Sequence, residues 1–399
     1  MNIIDAHNRY ASGAPSGENV IVDAEIEQLR AAGVDVVPFI RESDDIGKLP
    51  AVQKALLPAS PIYNRWTARD LAAVLDRDGP DVVHLHNPYP LISPWVVRVA
   101  QRRGVPVVQT VHNYRQVCAP GTYFRDGGLC TDCRGKRVGW PAVRHACYRG
   151  SRPQSAIMAA TLAIHRGTWL GVDRYIALTE GIASHLHDFG VPDERITVKP
   201  NALVDPGPPA PLDPAGGFLL AGRLVPEKGI PQLFDAWRPE FGRLRIAGDG
   251  PMRDEVAAFA AGRSDVEYLG SLPRPEMLAA VAAASALIVA STWPDVLPTI
   301  GIEALAAGRP VLGTSLGGIP WLVGEAGWIV EPTAGGLAGG LARAAADLAD
   351  PTVAAALSAR ARDRYEREFT PDTLTRRLVG IYRELHESSR PNRAGAGRG

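Results

Sequence analysis

Short β-branched runs alternate with helical periods along almost the whole chain, and no other feature narrows its fold as much. Such alternation argues an α/β protein with parallel sheets, because each parallel strand needs a crossover helix to reach the next. In the first half, strands read as Met1–Asp5, Asp35–Phe39, Asp81–His86, Val105–Val111, Arg174–Ala177 and Ile196–Lys199, with helices at Asn19–Ala32, Ile92–Arg103 and Thr179–Phe189. A second series reads as strands Phe218–Ala221, Arg243–Ala247, Val266–Leu269, Ala286–Val289, Pro310–Gly313 and Gly327–Val330. Its helices include Gly229–Trp237, Pro273–Ala284 and Thr299–Ala307, and three helical segments close the chain.

Between the series, Leu203–Gly217 holds Pro206, Pro208, Pro209, Pro211 and Pro214, which continue neither a helix nor a central strand. At 399 residues the chain is long for one core and comfortable for two. The expected division is an amino-terminal domain over 1–205 with a cysteine-rich insertion at about 115–150, a linker at 206–217, and a second domain over 218–370. A final helix, 371–388, would pack back toward the first domain, and 389–399 would be a disordered tail. Two doubly wound, Rossmann-like domains facing across a cleft bind ligands at the carboxyl ends of their strands.

Composition limits the function classes. A hydrophobic content of 46% with 22% charged residues suits a soluble globular protein. Equal numbers of basic and acidic residues, 43 each, exclude a general nucleic-acid binder on electrostatic grounds. The start, Met1–His7, contains Asp5 and reads as a strand, not a signal peptide. Apolar stretches such as Ile157–Ile164 fall far short of the ~20 residues of a membrane span. A cytoplasmic protein is expected, with peripheral contact to the inner membrane face left open.

The strongest chemical signals follow strands of the second series. Gly222-Arg223-Leu224-Val225-Pro226-Glu227-Lys228-Gly229 ends one strand and opens a helix. Two cations beside a helix start suit a diphosphate, with the guanidinium binding two oxygens and Lys228 adding a point charge. A solvated pair flanking a turn would read the same way. Asp295-Val296-Leu297-Pro298-Thr299-Ile300-Gly301-Ile302-Glu303 places one acid before a helix and another a turn inside it, with free N–H groups of Thr299 to Gly301 between them. Carboxylates accept from sugar hydroxyls; a capped helix with one exposed acid is the competing reading. Gly248-Asp249-Gly250-Pro251 and Leu269-Gly270 are tight strand ends that permit close approach to a flat base.

In this order the motifs resemble the donor domain of glycosyltransferase family four, a retaining family with the GT-B fold, and the likeness runs from Ser16 to Val330. The resemblance implies that Arg223 and Lys228 hold a nucleotide diphosphate and Glu303 the ribose hydroxyls. It implies that Asp295 and the backbone of Leu297, Pro298, Thr299 and Ile300 contact the transferred sugar. Leu269 and Gly270 would frame the base, with Gly248 beside them, and Gly17 would approach the phosphates from the loop Ala14–Asn19. His112, at a strand end, resembles the family's active-site histidine. It would bind the donor sugar or stabilise developing charge, since front-face retention needs no protein nucleophile. Two departures stand out: Asp295 where the family usually carries glutamate, shorter by ~1.5 Å, and Trp321 where relatives often carry glutamate. The implied activity is metal-independent transfer from a nucleotide diphosphate-sugar, uridine-linked as the commonest choice, to a glycan, lipid-linked or small-molecule acceptor.

Other residues stay open between function and structure. His84 and His86 alternate and point one way, lining an acceptor side or packing a core. Cys118, Cys130, Cys133 and Cys147 allow a structural zinc site or four free thiols, and no catalytic metal. Arg134 to Val172 contains no acid but includes Arg134, Lys136, Arg137, Arg144, Arg149, Arg152 and Arg166. That stretch reads as a solvated surface, or as a lip for an anionic acceptor or lipid headgroups with Trp140 and Trp169 as interfacial anchors. Competing functions are a nucleotide-sugar epimerase of the same architecture and a non-catalytic sugar-binding protein. No Gly-x-Gly-x-x-Gly follows a strand, against a dinucleotide oxidoreductase. Asp76-Arg77-Asp78 matches a metal-binding Asp-x-Asp but ends a helix at the wrong end of the sheet.

Overall fold

The computed structural model describes residues 1–12 and 16–393. The chain divides into two compact units, one comprising 1–123, 131–202 and 371 onward, the other 124–130 and 203–370. Each is built on a six-stranded, wholly parallel sheet with crossovers between non-consecutive strands, the doubly wound architecture of the GT-B fold.

In the first unit the strands are β1 (Asn2–Arg9), β2 (Asp35–Glu42), β3 (Val82–Leu85) and β4 (Val107–Val111). After a hairpin of β5 (Phe124–Arg125) and β6 (Gly128–Leu129), which groups with the second unit, come β7 (Arg174–Ala177) and β8 (Ile196–Val198). The sheet order is β2-β1-β3-β4-β7-β8. β1 runs four residues past Asp5, because Ala6 to Arg9 keep pairing with Phe39 to Glu42. Ile3, Val22, Ile26, Leu29 and Val82 share a core with Leu378, Ile381, Tyr382 and Leu385 of the final helix. That helix runs Pro371–Arg393, so the tail expected from 389 is helical as far as Arg393, while 394–399 lie outside the described residues.

The second unit contains β9 (Phe218–Ala221), β10 (Leu244–Ala247), β11 (Val266–Gly270), β12 (Ala286–Val289), β13 (Val311–Thr314) and β14 (Gly327–Val330), in the order β11-β10-β9-β12-β13-β14. Its proline-rich entry is anchored: Arg309 donates to the Ala210 carbonyl at 3.0 Å, and the Ser285 hydroxyl donates to the Asp213 carbonyl at 2.6 Å. Among the described residues no helix is long and apolar enough to cross a membrane.

Candidate active site

In the second unit, β9 and β12 are adjacent, and their carboxyl ends open on a small cavity. Arg223, Lys228, Pro298 and Ile300 line it. The turn that carries the cations is held from both sides. The Gly222 N–H donates to the Ala247 carbonyl at 3.0 Å, and the Leu224 N–H donates to that of Asp249 at 2.8 Å. A Cβ at Gly248 would stand 1.8 Å from the Gly222 carbonyl oxygen, so only glycine lets the two turns touch. Gly229 obeys the same constraint, with φ +74 and a notional Cβ 1.8 Å from the Ala290 carbonyl oxygen. Lys228 is thereby pressed against the end of β12.

The cations differ in their surroundings. The Arg223 side chain is 48% exposed and lies 3.6 Å from Glu227. The Lys228 ammonium bonds Asp295 at 2.5 Å and sits 5.7 Å from the Trp293 ring centroid. Asp295, buried, also accepts from the Ser291 hydroxyl at 3.3 Å. Glu303 lies in the helix Thr299–Ala306 and turns to Arg274, which ion-pairs with it. Burial raises the Glu303 carboxyl above its ordinary value, and Arg274 opposes that. The structure thus brings Arg223, Lys228, Pro298 and Ile300 to one cavity, adds Asp295 through Lys228, and gives Glu303 a different partner. Leu297 is buried and Thr299 half-buried. Of the N–H groups expected free between the acids, that of Gly301 donates to the Pro298 carbonyl at 2.9 Å and is therefore used. Gly248 donates to Gly270 at 2.7 Å, and the Tyr268 hydroxyl donates to the Gly248 carbonyl at 3.0 Å, so the Leu269-Gly270 strand end abuts the glycine turn. Trp321 packs edge-on against Phe369, 5.5 Å between centroids.

In the first unit a second small cavity is lined by Glu18, His86, His112, Arg115 and Gln116 among others. Parallel register explains the grouping. Asp5 pairs with His84 across β1 and β3, so residues just past β3 and β4 reach the same sheet edge. His86 Nε2 stands 3.4 Å from Asp5 and 3.6 Å from Glu25. Its Nδ1 lies 3.0 Å from His112 Nε2. Glu25 also meets the buried Lys199 ammonium at 3.2 Å. Burial alone would push the His86 imidazole down, but the Asp5 carboxylate, with Glu25 and Glu18, overcomes it and raises its pKa. Burial and the nearby His86 charge hold His112 well below its ordinary value.

These states define the hydrogens. Where His86 is protonated it donates from Nδ1 to His112 Nε2, which leaves a neutral His112 its hydrogen on Nδ1. His84 is neutral too, with Nδ1 accepting from the Tyr382 hydroxyl at 2.6 Å and Nε2 facing the Thr110 hydroxyl at 2.8 Å. His7 accepts the Asn87 N–H at 3.4 Å and meets the Asn19 carbonyl oxygen at 3.0 Å. Burial, then His86, lowers its pKa to about 3. Glu18 lies on the rim, where burial, opposed by Arg115, lifts its carboxyl to about 6.

Among the described residues, Asp5, Glu25, His84 and His86 are the group whose ligand atoms are near enough to share a cation, all within 4.8 Å. His86 and Lys199 lie beside the two carboxyl groups, while burial raises the Asp5 carboxyl and both of its oxygens, with Glu25 Oε1 and His86 Nε2, stay without a hydrogen bond among the described residues. The four cysteines do not form such a group among the described residues: Cys118 is buried, the other three half-buried, and none is in a disulfide. Gly17 begins the helix Gly17–Ala31, capped by Ser16, while Ala14 and Pro15 lie outside the described residues. Asp76 and Asp78 pair with Arg103 and Arg77 on the surface. Trp169 is 2% exposed and so is a core residue, not an interfacial anchor, whereas Trp140 is 69% exposed.

Asp5, His7, Glu25, Lys199, Tyr382 and Arg274 were not singled out by the sequence. Asp5 and His7 share the period-two signal that marked His84 and His86, and ending the first strand at Asp5 hid it.

Two doubly wound units, one with an arginine–lysine cavity at its strand ends, define a GT-B protein. The chain matches the Glycosyl transferase 4-like domain over residues 16–202 and the Glycosyl transferases group 1 domain over 216–349, and it is a glycosyltransferase. It is 27% identical to the D-inositol 3-phosphate glycosyltransferase of Frankia alni, covering 79% of this chain and 81% of that one. Sucrose-phosphate synthase from Thermosynechococcus elongatus superposes with a TM-score of 0.71 at 20% identity, over 97% of this chain and all of the other (100%). Anabaena HepE, in complex with UDP-glucose, superposes with a TM-score of 0.65 at 14% identity, over 96% and 100%.

Proposed function

We propose that the protein is a retaining, metal-independent glycosyltransferase using a nucleotide diphosphate-sugar, with UDP-linked hexoses as the first donors to test. The observation that carries this is the convergence of Arg223 and Lys228 on one cavity at the ends of β9 and β12. A guanidinium and an ammonium there neutralise a pyrophosphate, and Arg223 keeps an exposed face for it. The HepE structure with UDP-glucose supports that choice of donor. Lys228 would exchange part of its bond to Asp295 for phosphate, leaving Asp295 to accept from the sugar. Glu303, opposite Arg274, would take the ribose hydroxyls, and Gly248, Leu269, Gly270, Leu297, Thr299 and Gly17 would shape the donor site. His112, held neutral, would donate its Nδ1–H to the donor sugar or to charge developing on it.

Acceptors remain in the classes of glycans, lipid-linked sugars and small molecules. An epimerase would need acid and base carboxylates free for proton transfer. Asp5 and Glu25 instead face His86 and Lys199 in the interior of the first unit, and Glu303 pairs with Arg274. A structural zinc on the four cysteines would require those thiols to gather around the ion, and metal analysis of the purified chain decides it. A thermal-shift panel of nucleotide sugars tests the main reading. UDP-glucose or a close relative should raise the unfolding midpoint in a concentration-dependent way. If no nucleotide sugar does so, the donor assignment is wrong.

A further inference from the structure

The run without acids, Arg134 to Val172, contributes to a small, solvent-open cavity in the first unit. Four cations line it, Arg134, Lys136, Arg137 and Arg166, against one carboxylate, Asp188. Arg134 ion-pairs with Asp188, and Arg166 donates to the Phe189 carbonyl at 2.8 Å. Lys136 and Arg137 have no carboxylate partner among the described residues, so the cavity carries uncompensated positive charge.

Its floor is polar and buried. The Tyr123 hydroxyl lies 3.2 Å from His185 Nδ1, and His185 Nε2 lies 3.4 Å from the Gln116 side-chain oxygen. Burial, then the Arg134 charge, lowers the His185 pKa to about 4, so the ring is neutral and accepts from Tyr123 while donating to Gln116. The Gln116 amide N–H groups are then left to point elsewhere. Gln116 also lines the cavity that holds His112, so the two share a wall within one unit. Concavity with a buried polar floor suits a compact anion better than a flat lipid surface, and Trp169, which a membrane contact would have used, lies in the core.

We propose that this cavity binds a phosphate or pyrophosphate group of the acceptor, placing an anionic acceptor beside His112. The inference rests on the glycosyltransferase reading above for the ligand's being an acceptor. Inorganic pyrophosphate is the probe, titrated calorimetrically into the full chain, into a K136A/R137A double variant and into R223A. Both mutated side chains of the double variant are exposed, so its fold should persist, and its unfolding midpoint should match the parent's. The double variant should lose about tenfold or more in one class of pyrophosphate sites while binding UDP as the parent does. R223A should keep that class and lose UDP.

Unchanged pyrophosphate binding in the double variant overturns the proposal, whatever UDP does. UDP failing to bind the parent sinks the donor reading separately. Phosphatidylcholine vesicles with and without a polyprenyl pyrophosphate distinguish the source. Capture that depends on Lys136 and Arg137 assigns a lipid-borne group, and no capture with free pyrophosphate still bound assigns a soluble one. Capture by phosphatidylglycerol vesicles without any pyrophosphate binding makes the patch a membrane contact and overturns the cavity's assignment.

Discussion

The two units place charge in opposite ways. In the second, Arg223 and Lys228 stand on glycine turns with 48% and 28% of their side chains exposed. In the first, Asp5 and His86 are wholly buried and Lys199 nearly so at 2%, each beside a group of opposite charge type. Exposed cations are held ready for a charge that arrives with a ligand. Buried pairs cannot wait for one, because an uncompensated interior charge costs several kcal/mol. The second unit's turn cations should therefore govern donor binding, and the first unit's buried network should govern stability and the state of His112.

The sharpest way to break that contrast is Lys199→Ala. It leaves Glu25 buried beside Asp5 with one cation fewer, and the loss should be about 3–5 kcal/mol of unfolding free energy. Urea unfolding measures it, and a loss near zero would show that the network is not what holds the first unit. His112→Ala comes next, with turnover falling about a hundredfold while donor affinity is kept. Steady-state kinetics separates the two, and equal turnover would demote the histidine to packing. Arg223→Ala should remove about 2–3 kcal/mol of UDP affinity with no change in urea midpoint, reversing the Lys199 pattern. Calorimetry with UDP checks it.

Acid is a gentler probe. His7 and His185 have pKa values lowered to about 3 and about 4, whereas the unfolded chain protonates them near the ordinary value of 6.5. Their contribution is complete above about pH 6.5 and is lost as pH falls toward 4, at about 1.4 kcal/mol per pH unit for each histidine. His86, with its raised pKa, acts oppositely: its contribution is present at low pH and fades as pH rises through its folded value. Urea midpoints at stepped pH should decline on acidification, and His185→Gln should flatten the slope.

The second unit was the more readable half. Its strands start or stop within about a residue of expectation because glycine and proline punctuate a short-strand α/β sheet, and the Arg-x4-Lys spacing sits on one such turn. The partner of Glu303 was not readable, since Arg274 is distant in sequence and only the packing of its helix, Arg274–Ala282, against Thr299–Ala306 brings it near. In the first unit the Asp5–His86–His112 series depends on the register of three strands, which local pattern does not encode. The polar residues His7 to Arg9 hid the end of β1. His7 and Asn8 are tolerated in a buried strand because Asn19 meets the one and Leu91, donating to the other at 2.7 Å, meets the second. Trp169 misled for a simpler reason: a tryptophan in a basic stretch suggests an interface, but the helix Arg152–Leu170 turns it inward.

The Tyr382–His84 bond joins positions 298 residues apart within one unit. On the ribosome, the amino-terminal sheet therefore waits for the last helix to emerge before its histidine cluster is sealed, although β1 is made first. The second unit, with all six of its sheet strands between Phe218 and Val330, has its whole sheet available earlier. A chain cut short before Pro371 would keep every residue of the arginine–lysine cavity and still leave the other half of the enzyme unfinished, a nascent protein exposing apolar surface to the cell's quality control.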